Sequence, residues 1–84
     1  DTSEVNEVLR ELVGRQPPPH HRGRPVKLKY ATQVTTAPPT FAIFSNYPRE
    51  VPAHYVRYLN NGFREAWGFL GSPMRISLRS SRDS

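Results

Sequence analysis

The sequence predicts an α+β domain with elements in the order α-β-β-α-β, in which two helices pack on one face of a three-stranded sheet. Three observations support this fold class. Two segments carry apolar residues at helical spacing, three segments alternate between apolar and polar residues, and proline-rich stretches separate several of these segments. A chain of 84 residues suits one domain near the lower size limit for a single hydrophobic core. We therefore expect residues 1–84 to form a single domain.

The first helix is predicted over residues 1–14. Acidic residues crowd the start of this segment, as the helix dipole favours, and Gly14 offers a stop at its end. Residues 15–25 combine a run of three prolines with a glycine, two histidines and three arginines, which is typical of a loop. The apolar stripe of the helix consists of Val5, Val8, Leu9, Leu12 and Val13.

Alternation predicts the first two strands, in the segments VKLKYATQV and TFAIFSN. Because the intervening TTAPP carries two prolines, we expect an open loop there instead of a tight two-residue hairpin. In the first strand, one face holds Val26, Leu28 and Tyr30, and the other holds Lys27, Lys29, Ala31 and Gln33. In the second strand, Phe41 and Ile43 lie opposite Ala42 and Phe44.

The segment SPMRISLR predicts the third strand, and residues 80–84 are expected to form a flexible tail. Alternation in this strand places Met74, Ile76 and Leu78 opposite Arg75, Ser77 and Arg79.

The segment YPREVPAHYVRYLNNGFREAWGF is compatible with either a hairpin or a helix. Asn61-Gly62 is a hairpin signal, but the flanking residues do not alternate, and Pro52 suits the first turn of a helix. Asn60, Asn61 and Gly62 lower the helix propensity by about 2 kcal/mol, which the packing of an aromatic-rich face outweighs. We therefore expect a helix. Its residues at helical spacing are Tyr55, Leu59, Phe63, Ala66 and Trp67.

Basic residues are concentrated after the first helix. Residues 1–14 hold four carboxylates against one arginine, whereas residues 15–84 hold eleven basic residues against three acidic ones, and the formal net charge is +5. Most of the basic residues are arginines, whose planar guanidinium suits phosphate better than an ammonium does. This charge favours a polyanionic partner, most simply nucleic acid or an acidic protein face.

The motif GFLG, residues 68–71, has the letters of the Gly-x-x-Gly loop with which KH domains clamp a nucleic-acid backbone. In a KH domain, a helix follows this loop and directs its N-terminus towards the phosphates. Here a predicted strand follows. We therefore interpret Gly68 and Gly71 as a helix C-cap and a tight turn, with a backbone clamp as the alternative.

Two longer segments resemble the C-terminal KH-like domain of the Der (also called EngA) family of bacterial double-GTPase ribosome-assembly factors. The first is KLKYATQVTTAPPTFAIFSNYP, with its Lys-x-x-Tyr-x-x-Gln strand and its Pro-Pro-Thr-Phe strand ending in Phe-x-Asn. The second is YVRYLNNGFREAWGFLGSPMRISLR, with Arg64-Glu65 and the closing Gly-Ser-Pro-Met strand. The opening TSEVNEVL also looks like the first helix of that family, so the resemblance covers nearly all of the chain.

The resemblance implies a KH-like fold without the usual clamp loop, attached after two GTPase domains and acting in maturation of the large (50S) ribosomal subunit in the cytoplasm. The chain begins at Asp1 instead of Met, so we expect an excised part of such a GTPase. No Gly-x-x-x-x-Gly-Lys-[Ser/Thr] motif is present, so we expect no catalytic site and no cofactor in this part, with GTP and Mg²⁺ bound by the GTPase domains of the parent protein. The expected partners are ribosomal RNA and those GTPase domains, without a membrane or a small-molecule substrate.

A basic surface is the candidate RNA-binding site. Two interpretations stay open for it: contact with RNA, or docking onto the GTPase domains of the parent protein. The candidate residues are Arg22, Arg24, Lys27, Lys29, Gln33, Arg57, Arg64, Arg75 and Arg79.

Aromatic and histidine residues suggest two further kinds of site. The aromatic side chains could stack unpaired bases, but their periodicity favours the core instead. His20, His21 and His54 are interpreted as surface residues, because adjacent histidines rarely direct both rings at one ion, and no metal site is expected. The aromatic residues expected in the core are Tyr30, Phe41, Phe44, Tyr55, Phe63 and Trp67.

Overall fold

The structure, a computed structural model, describes residues 2–68 and 71–81 and has the predicted order of elements. The helices are α1 (Thr2–Arg15) and α2 (Ala53–Trp67), and the strands are β1 (Leu28–Thr36), β2 (Pro39–Ser45) and β3 (Arg75–Ser80). A short 3-10 helix at Pro48–Glu50 connects β2 to α2. The predicted α+β fold class with two helices and three strands is therefore confirmed for these residues, as is the helical interpretation of the segment around Asn61-Gly62.

The sheet is mixed and has β2 at its centre. β1 pairs with β2 in the antiparallel sense, and β2 pairs with β3 in the parallel sense. A parallel pair needs a long crossover connection, and α2 provides it between β2 and β3. Both helices pack against the same face of the sheet.

The connection between β1 and β2 differs from the prediction. Thr36 pairs with Pro39, so only Ala37 and Pro38 lie between the strands. The Ala37–Pro38 peptide bond is cis, as it is in a type VI turn. The expected open loop was wrong, because Pro39 occupies the first position of its strand, where a missing N–H group is tolerated.

The register of β1 also differs from simple alternation. Leu28 pairs with Ser45 and Tyr30 pairs with Phe44, so an advance of two residues on β1 matches an advance of one residue on β2. This mismatch is the signature of a β-bulge. Beyond the bulge, Ala31 is fully buried and Tyr30 is exposed. The predicted faces of Tyr30 and Ala31 were therefore wrong, because one extra residue reverses the side-chain alternation that follows it, until a second register shift between Gln33 and Thr35 reverses it again.

The hydrophobic core lies between the helices and one face of the sheet. Phe41 on β2 meets the ring of Phe63 edge-on at 5.2 Å and stacks on Trp67 at 5.5 Å between ring centroids. Both helical stripes predicted from the sequence contribute to this core. Its buried members are Val5, Leu9, Leu12, Val26, Ala31, Phe41, Ile43, Val51, Tyr55, Leu59, Phe63 and Met74.

Asn6 attaches α1 to the outer edge of the sheet. Its Oδ1 accepts a hydrogen bond from the Ala31 amide at 2.8 Å, and its Nδ2 donates to the Ala31 carbonyl at 2.9 Å. The side chain thus bonds the backbone of an edge strand as a neighbouring strand would, and it satisfies backbone groups that would otherwise be open to unwanted pairing.

Two tyrosines of α2 bind the C-terminal end of α1. The hydroxyl of Tyr55 donates to the carbonyl of Gln16, and that of Tyr58 donates to the carbonyl of Leu12, both at 2.6 Å. The Gln16 carbonyl lies just beyond the last residue of α1, where a helix no longer supplies donors, and the Leu12 carbonyl accepts from both the Tyr58 hydroxyl and the Gln16 amide. Burial, and to a smaller extent the neighbouring Tyr58, raises the pKa of Tyr55 to about 12, so its hydroxyl stays protonated at neutral pH.

Gly62 allows the two helices to approach closely. A Cβ atom at this position would lie 2.7 Å from Cδ1 of Leu12, which is closer than real Cβ contacts occur. The low helix propensity of Gly62 is therefore offset by the packing of Leu12 against the α2 backbone.

We expect Asn6→Ala to lower the free energy of unfolding by about 2 kcal/mol, because it leaves the Ala31 amide and carbonyl without their partner. Urea denaturation followed by circular dichroism measures this change. Asn61→Ala is the matched control, since Asn61 is exposed on α2, and it should change the stability by no more than about 0.5 kcal/mol. Equal effects of the two substitutions would contradict the role given to Asn6.

Two glycine substitutions should have opposite effects on stability. Gly62→Ala should lower the free energy of unfolding by about 1 kcal/mol, because overpacking against Leu12 outweighs the gain in helix propensity. Gly14→Ala should raise it by about 0.5 kcal/mol, since a Cβ there meets no described atom within 4 Å. Thermal unfolding of both variants tests this, and stabilisation by both would show that the helices tolerate a wider spacing.

Candidate nucleic-acid interface

The face of the sheet opposite the helices, called the open face below, carries aromatic and basic side chains. Successive side chains of a strand point to opposite faces, and directly paired residues share a face. Phe41 and Ile43 point into the core. The residues that alternate with them on β2, which are Thr40, Ala42 and Phe44, therefore belong to the open face. Three rows cross it, made of Tyr30, Phe44 and Arg79, of Thr32, Ala42 and Ser77, and of Thr35, Thr40 and Arg75.

The first row holds a stacked aromatic pair beside an arginine. The rings of Tyr30 and Phe44 lie 4.6 Å apart between centroids and are tilted by only 16°. Tyr30 is 47% exposed, and Phe44 is half-buried. On the neighbouring strand, Arg79 is exposed, and its Nε lies 3.3 Å from the Ser77 hydroxyl.

Expectations for the aromatic residues were met in part. Phe41, Tyr55 and Phe63 are buried as predicted, and Trp67 packs partly buried against the same core. The core assignment of Tyr30 and Phe44 was wrong, because the bulge in β1 and the alternation of β2 place both residues on the open face. For Phe44, its alternation with Phe41 and Ile43 was the signal in the sequence, whereas the unbroken alternation of Val26, Leu28 and Tyr30 gave no sign of the bulge.

Of the candidate basic residues, Arg75 and Arg79 lie on the open face. Lys27 and Lys29 are exposed at the start of β1, where the amide of Lys27 donates to Asn46 Oδ1 at 2.8 Å. Gln33 pairs with Phe41 and so belongs to the core side of the sheet, where its Nε2 donates to the carbonyl of Thr35. The expectation that Gln33 shares an outer face with the two lysines is corrected by this register.

Arg22 and Arg24 belong to a tight turn that precedes β1. His21 and Arg24 exchange two backbone hydrogen bonds of 2.9 Å, and Arg22 and Gly23 have φ angles of 53° and 77°. Positive φ at both central residues is the pattern of a type I′ turn. The Arg24 Nη1 donates to the Tyr47 hydroxyl at 3.3 Å, which raises the pKa of the Arg24 guanidinium.

His21 has local partners in the same region. Its ring packs against Tyr47 at 5.5 Å between centroids, and its Nδ1 lies 3.5 Å from Glu50 Oε1. Within residues 2–68 and 71–81, no group of three or more His, Asp or Glu side chains is arranged to hold a metal ion.

The two arginines of α2 differ in their surroundings. Arg57 is exposed to solvent. Arg64 is half-buried, and it donates from Nε to Asn60 Oδ1 at 3.0 Å and from Nη1 to the Ser72 carbonyl at 2.6 Å. Arg64 therefore connects α2 to the segment that enters β3.

The glycines of GFLG have structural roles at the end of α2. Gly68 is the left-handed C-cap of the helix, with φ 69°, and its amide donates to the carbonyl of Arg64. Gly71 also has a positive φ of 77°, and β3 follows instead of a helix. The predicted C-cap is confirmed, whereas Phe69 and Leu70 lie outside the described residues.

These features define a small α+β domain with helices on one side of its sheet and a basic, partly aromatic surface on the other. A family model of the KH-domain-like, C-terminal part of EngA bacterial GTPase enzymes matches residues 1–79. The chain belongs to this family, as its sequence motifs predicted. The matched part is the KH-domain-like, C-terminal part of these proteins and not their GTPase domains.

Proteins named GTPase Der are similar to nearly the whole chain. The chain is 60% identical over 78 residues to the one from Gemmatimonas aurantiaca, which covers 93% of this chain and 18% of that protein. It is 47% identical over 79 residues to the one from Fusobacterium nucleatum, with 94% and 18% covered. The chain thus spans less than a fifth of the length of these relatives. Among the described residues, no helix is long and apolar enough to cross a membrane.

We expect Arg64→Gln to lower the free energy of unfolding by about 1–2 kcal/mol, because the shorter side chain loses the bond to the Ser72 carbonyl. Arg57→Gln, an exposed change on the same helix, is the control and should alter the stability by no more than about 0.5 kcal/mol. Guanidinium denaturation of both variants provides the comparison. A stability loss confined to Arg57→Gln would contradict the assignment of Arg64 as a structural contact.

Proposed function

We propose that this chain is the RNA-contacting domain of a bacterial GTPase that acts in assembly of the large (50S) ribosomal subunit in the cytoplasm. In this proposal the open face of the sheet contacts ribosomal RNA. The observation that carries it is the placement of Arg75 and Arg79 on one uncovered face of the sheet, on the side away from both helices. Membership of the KH-domain-like family of EngA GTPases supports the same function.

Charge supports contact with a polyanion. The chain has a formal net charge of +5 and a sequence pI of about 10.2, and most of its positive groups are guanidinium groups. A guanidinium presents several donors in one plane and so matches the oxygens of a phosphate. Lys27 and Lys29 are also exposed at the start of the edge strand β1, where they would extend the positive field around the open face, and the exposed Arg22, Arg24 and Arg57 add to the positive charge of the domain.

Nucleotide binding and hydrolysis would be carried out elsewhere in the parent protein. The relatives named GTPase Der are more than five times as long as the matched region, which leaves room for the GTPase domains. GTP and Mg²⁺ would bind in those domains, and their nucleotide state would regulate access to the open face of this domain.

A second candidate is docking of this face onto the GTPase domains of the parent protein. The exposed side chains of Tyr30 and Val34, which are 47% and 40% exposed, favour it, because apolar and aromatic residues are common in protein interfaces. The two candidates predict different consequences of reversing the charge of the open face.

The substitution pair Arg75→Glu and Arg79→Glu tests the proposed function. Binding of the 84-residue chain to a labelled fragment of large-subunit ribosomal RNA is followed by fluorescence anisotropy at increasing potassium chloride concentrations. We expect affinity to fall at least about tenfold. The slope of log K against log salt should become shallower by about 1.4, because each lost phosphate contact removes about 0.7 from it.

The control pair Arg10→Glu and Arg15→Glu changes the net charge equally, but on exposed positions of α1. It should retain most of the affinity. Equal losses in both pairs would show that net charge alone acts, and absence of RNA binding at low salt by the folded, unaltered chain would overturn the proposal. The docking candidate instead predicts that the Arg75→Glu and Arg79→Glu pair weakens binding of the chain to GTPase domains. The GTPase domains of the Gemmatimonas aurantiaca GTPase Der can serve as the binding partner in this test.

A further inference from the structure

We propose that the open face contains a binding site for single-stranded RNA, in which an unpaired base stacks on the ring of Tyr30 and the adjoining phosphates contact Arg79 and Arg75. This inference rests on the proposed function and adds the kind of RNA and the atoms that bind it. The site lies on the sheet, on residues of β1, β2 and β3.

The ring of Tyr30 is already held in place for stacking. Phe44 packs parallel to it at 4.6 Å and fixes its orientation, while 47% of the tyrosine remains exposed. A side chain that is already ordered loses little rotamer freedom when a ligand binds. Stacking on such a ring accepts any base, because every base has a π face.

Tyr30 is also unusual in its exposure. Among residues 2–68 and 71–81, it and Val34 are the exposed large hydrophobic residues. The bulge after Leu28 turns Tyr30 away from the core, while Ala31 takes the buried position opposite Ile43. The fold thus buries the smaller of two adjacent residues and exposes the aromatic one. The exposure of the Tyr30 ring adds nothing to the core, but it provides a stacking surface.

The arginines lie where the neighbouring phosphates of a stacked nucleotide would pass. Arg79 is in the same cross-strand row as Tyr30 and Phe44, on the other side of the Phe44 ring. Arg75 lies four residues earlier on β3, which corresponds to about 13 Å along the strand. The two guanidinium groups can therefore contact different phosphates of one extended strand.

Short side chains separate these groups. The row between the two arginines consists of Thr32, Ala42 and Ser77. Ala42 is fully buried beneath its neighbours, whereas Thr32 and Ser77 are half-buried, so these two hydroxyl-bearing residues are the part of the row that RNA can contact between Tyr30 and Arg75. Hydroxyl groups of Thr32 and Ser77 can bond to the ribose 2′-hydroxyl or to phosphate oxygens there.

This geometry favours unpaired RNA over a duplex. In an A-form helix, both faces of each internal base are covered by neighbouring base pairs, so Tyr30 can stack only on a base that has been released from a helix. Loops, bulges and single-stranded segments offer such bases. A site built from phosphate contacts alone would make no such distinction.

The test compares two RNA probes of equal charge, a labelled uridine decamer and a decamer of the same backbone without bases. Fluorescence anisotropy with the unaltered 84-residue chain should show tighter binding of the uridine decamer by about 5- to 150-fold, the range for stacking of one base. Tyr30→Ala should reduce binding of the uridine decamer to the level of the abasic one. Tyr30→Phe should bind the uridine decamer as the unaltered chain does, because the phenyl ring still stacks.

Val34→Ala is the matched control, since it removes the other exposed apolar side chain of β1. It should leave both affinities unchanged. Equal binding of the two decamers would overturn the stacking site, as would retained discrimination between them in a folded Tyr30→Ala variant. In either of those cases, weaker binding of both decamers by the Arg75→Glu and Arg79→Glu variant would leave the proposed RNA-binding function standing without the stacking site. Absence of binding to either decamer and to the ribosomal fragment overturns both proposals. The comparison of probes uses the unaltered chain, so it remains valid if a variant fails to fold.

Discussion

The paired hydrogen bonds between Asn6 and the backbone of Ala31 fix where α1 lies along the outer strand of the sheet. They join residues 25 positions apart, at distances of 2.8 and 2.9 Å. They hold Ala31 against α1, and with the bulge after Leu28 they turn Tyr30 to the opposite face. The same contact therefore closes the core on one side of the sheet and defines the surface on the other.

The packing of α1 against α2 keeps both helices on one side of the sheet. Gly62 allows Leu12 to approach the α2 backbone, and the hydroxyls of Tyr55 and Tyr58 bind carbonyls at the end of α1. Because the apolar stripes of both helices are used in this core, the elements of residues 2–68 and 71–81 pack on one face of β2 only. Arg75 and Arg79 then remain accessible on the other face, which makes the two proposals about RNA physically possible.

Most of the fold could be predicted from local patterns. The two helical stripes, the alternation in β3 and the C-cap at Gly68 each depend on neighbours within a few residues, and the structure has all of them. The candidate site was predicted less completely. Arg75 and Arg79 were placed on one face of β3 correctly by their spacing. The roles of Tyr30, Gln33 and Arg64 depend on distant contacts that spacing does not record.

Composition and periodicity determined the fold class, the order of elements and the basic character of the chain, and the resemblance of its spaced motifs to those of a known family indicated the family. Tertiary structure decided which side chains face outward. One extra residue at the bulge reverses the alternation of β1, and Asn6 on another element holds that register. A strand has no preferred face until another layer packs on it. The exposure of Tyr30 therefore follows from the packing of α1 and β2 around β1, and not from the residues beside it in the sequence.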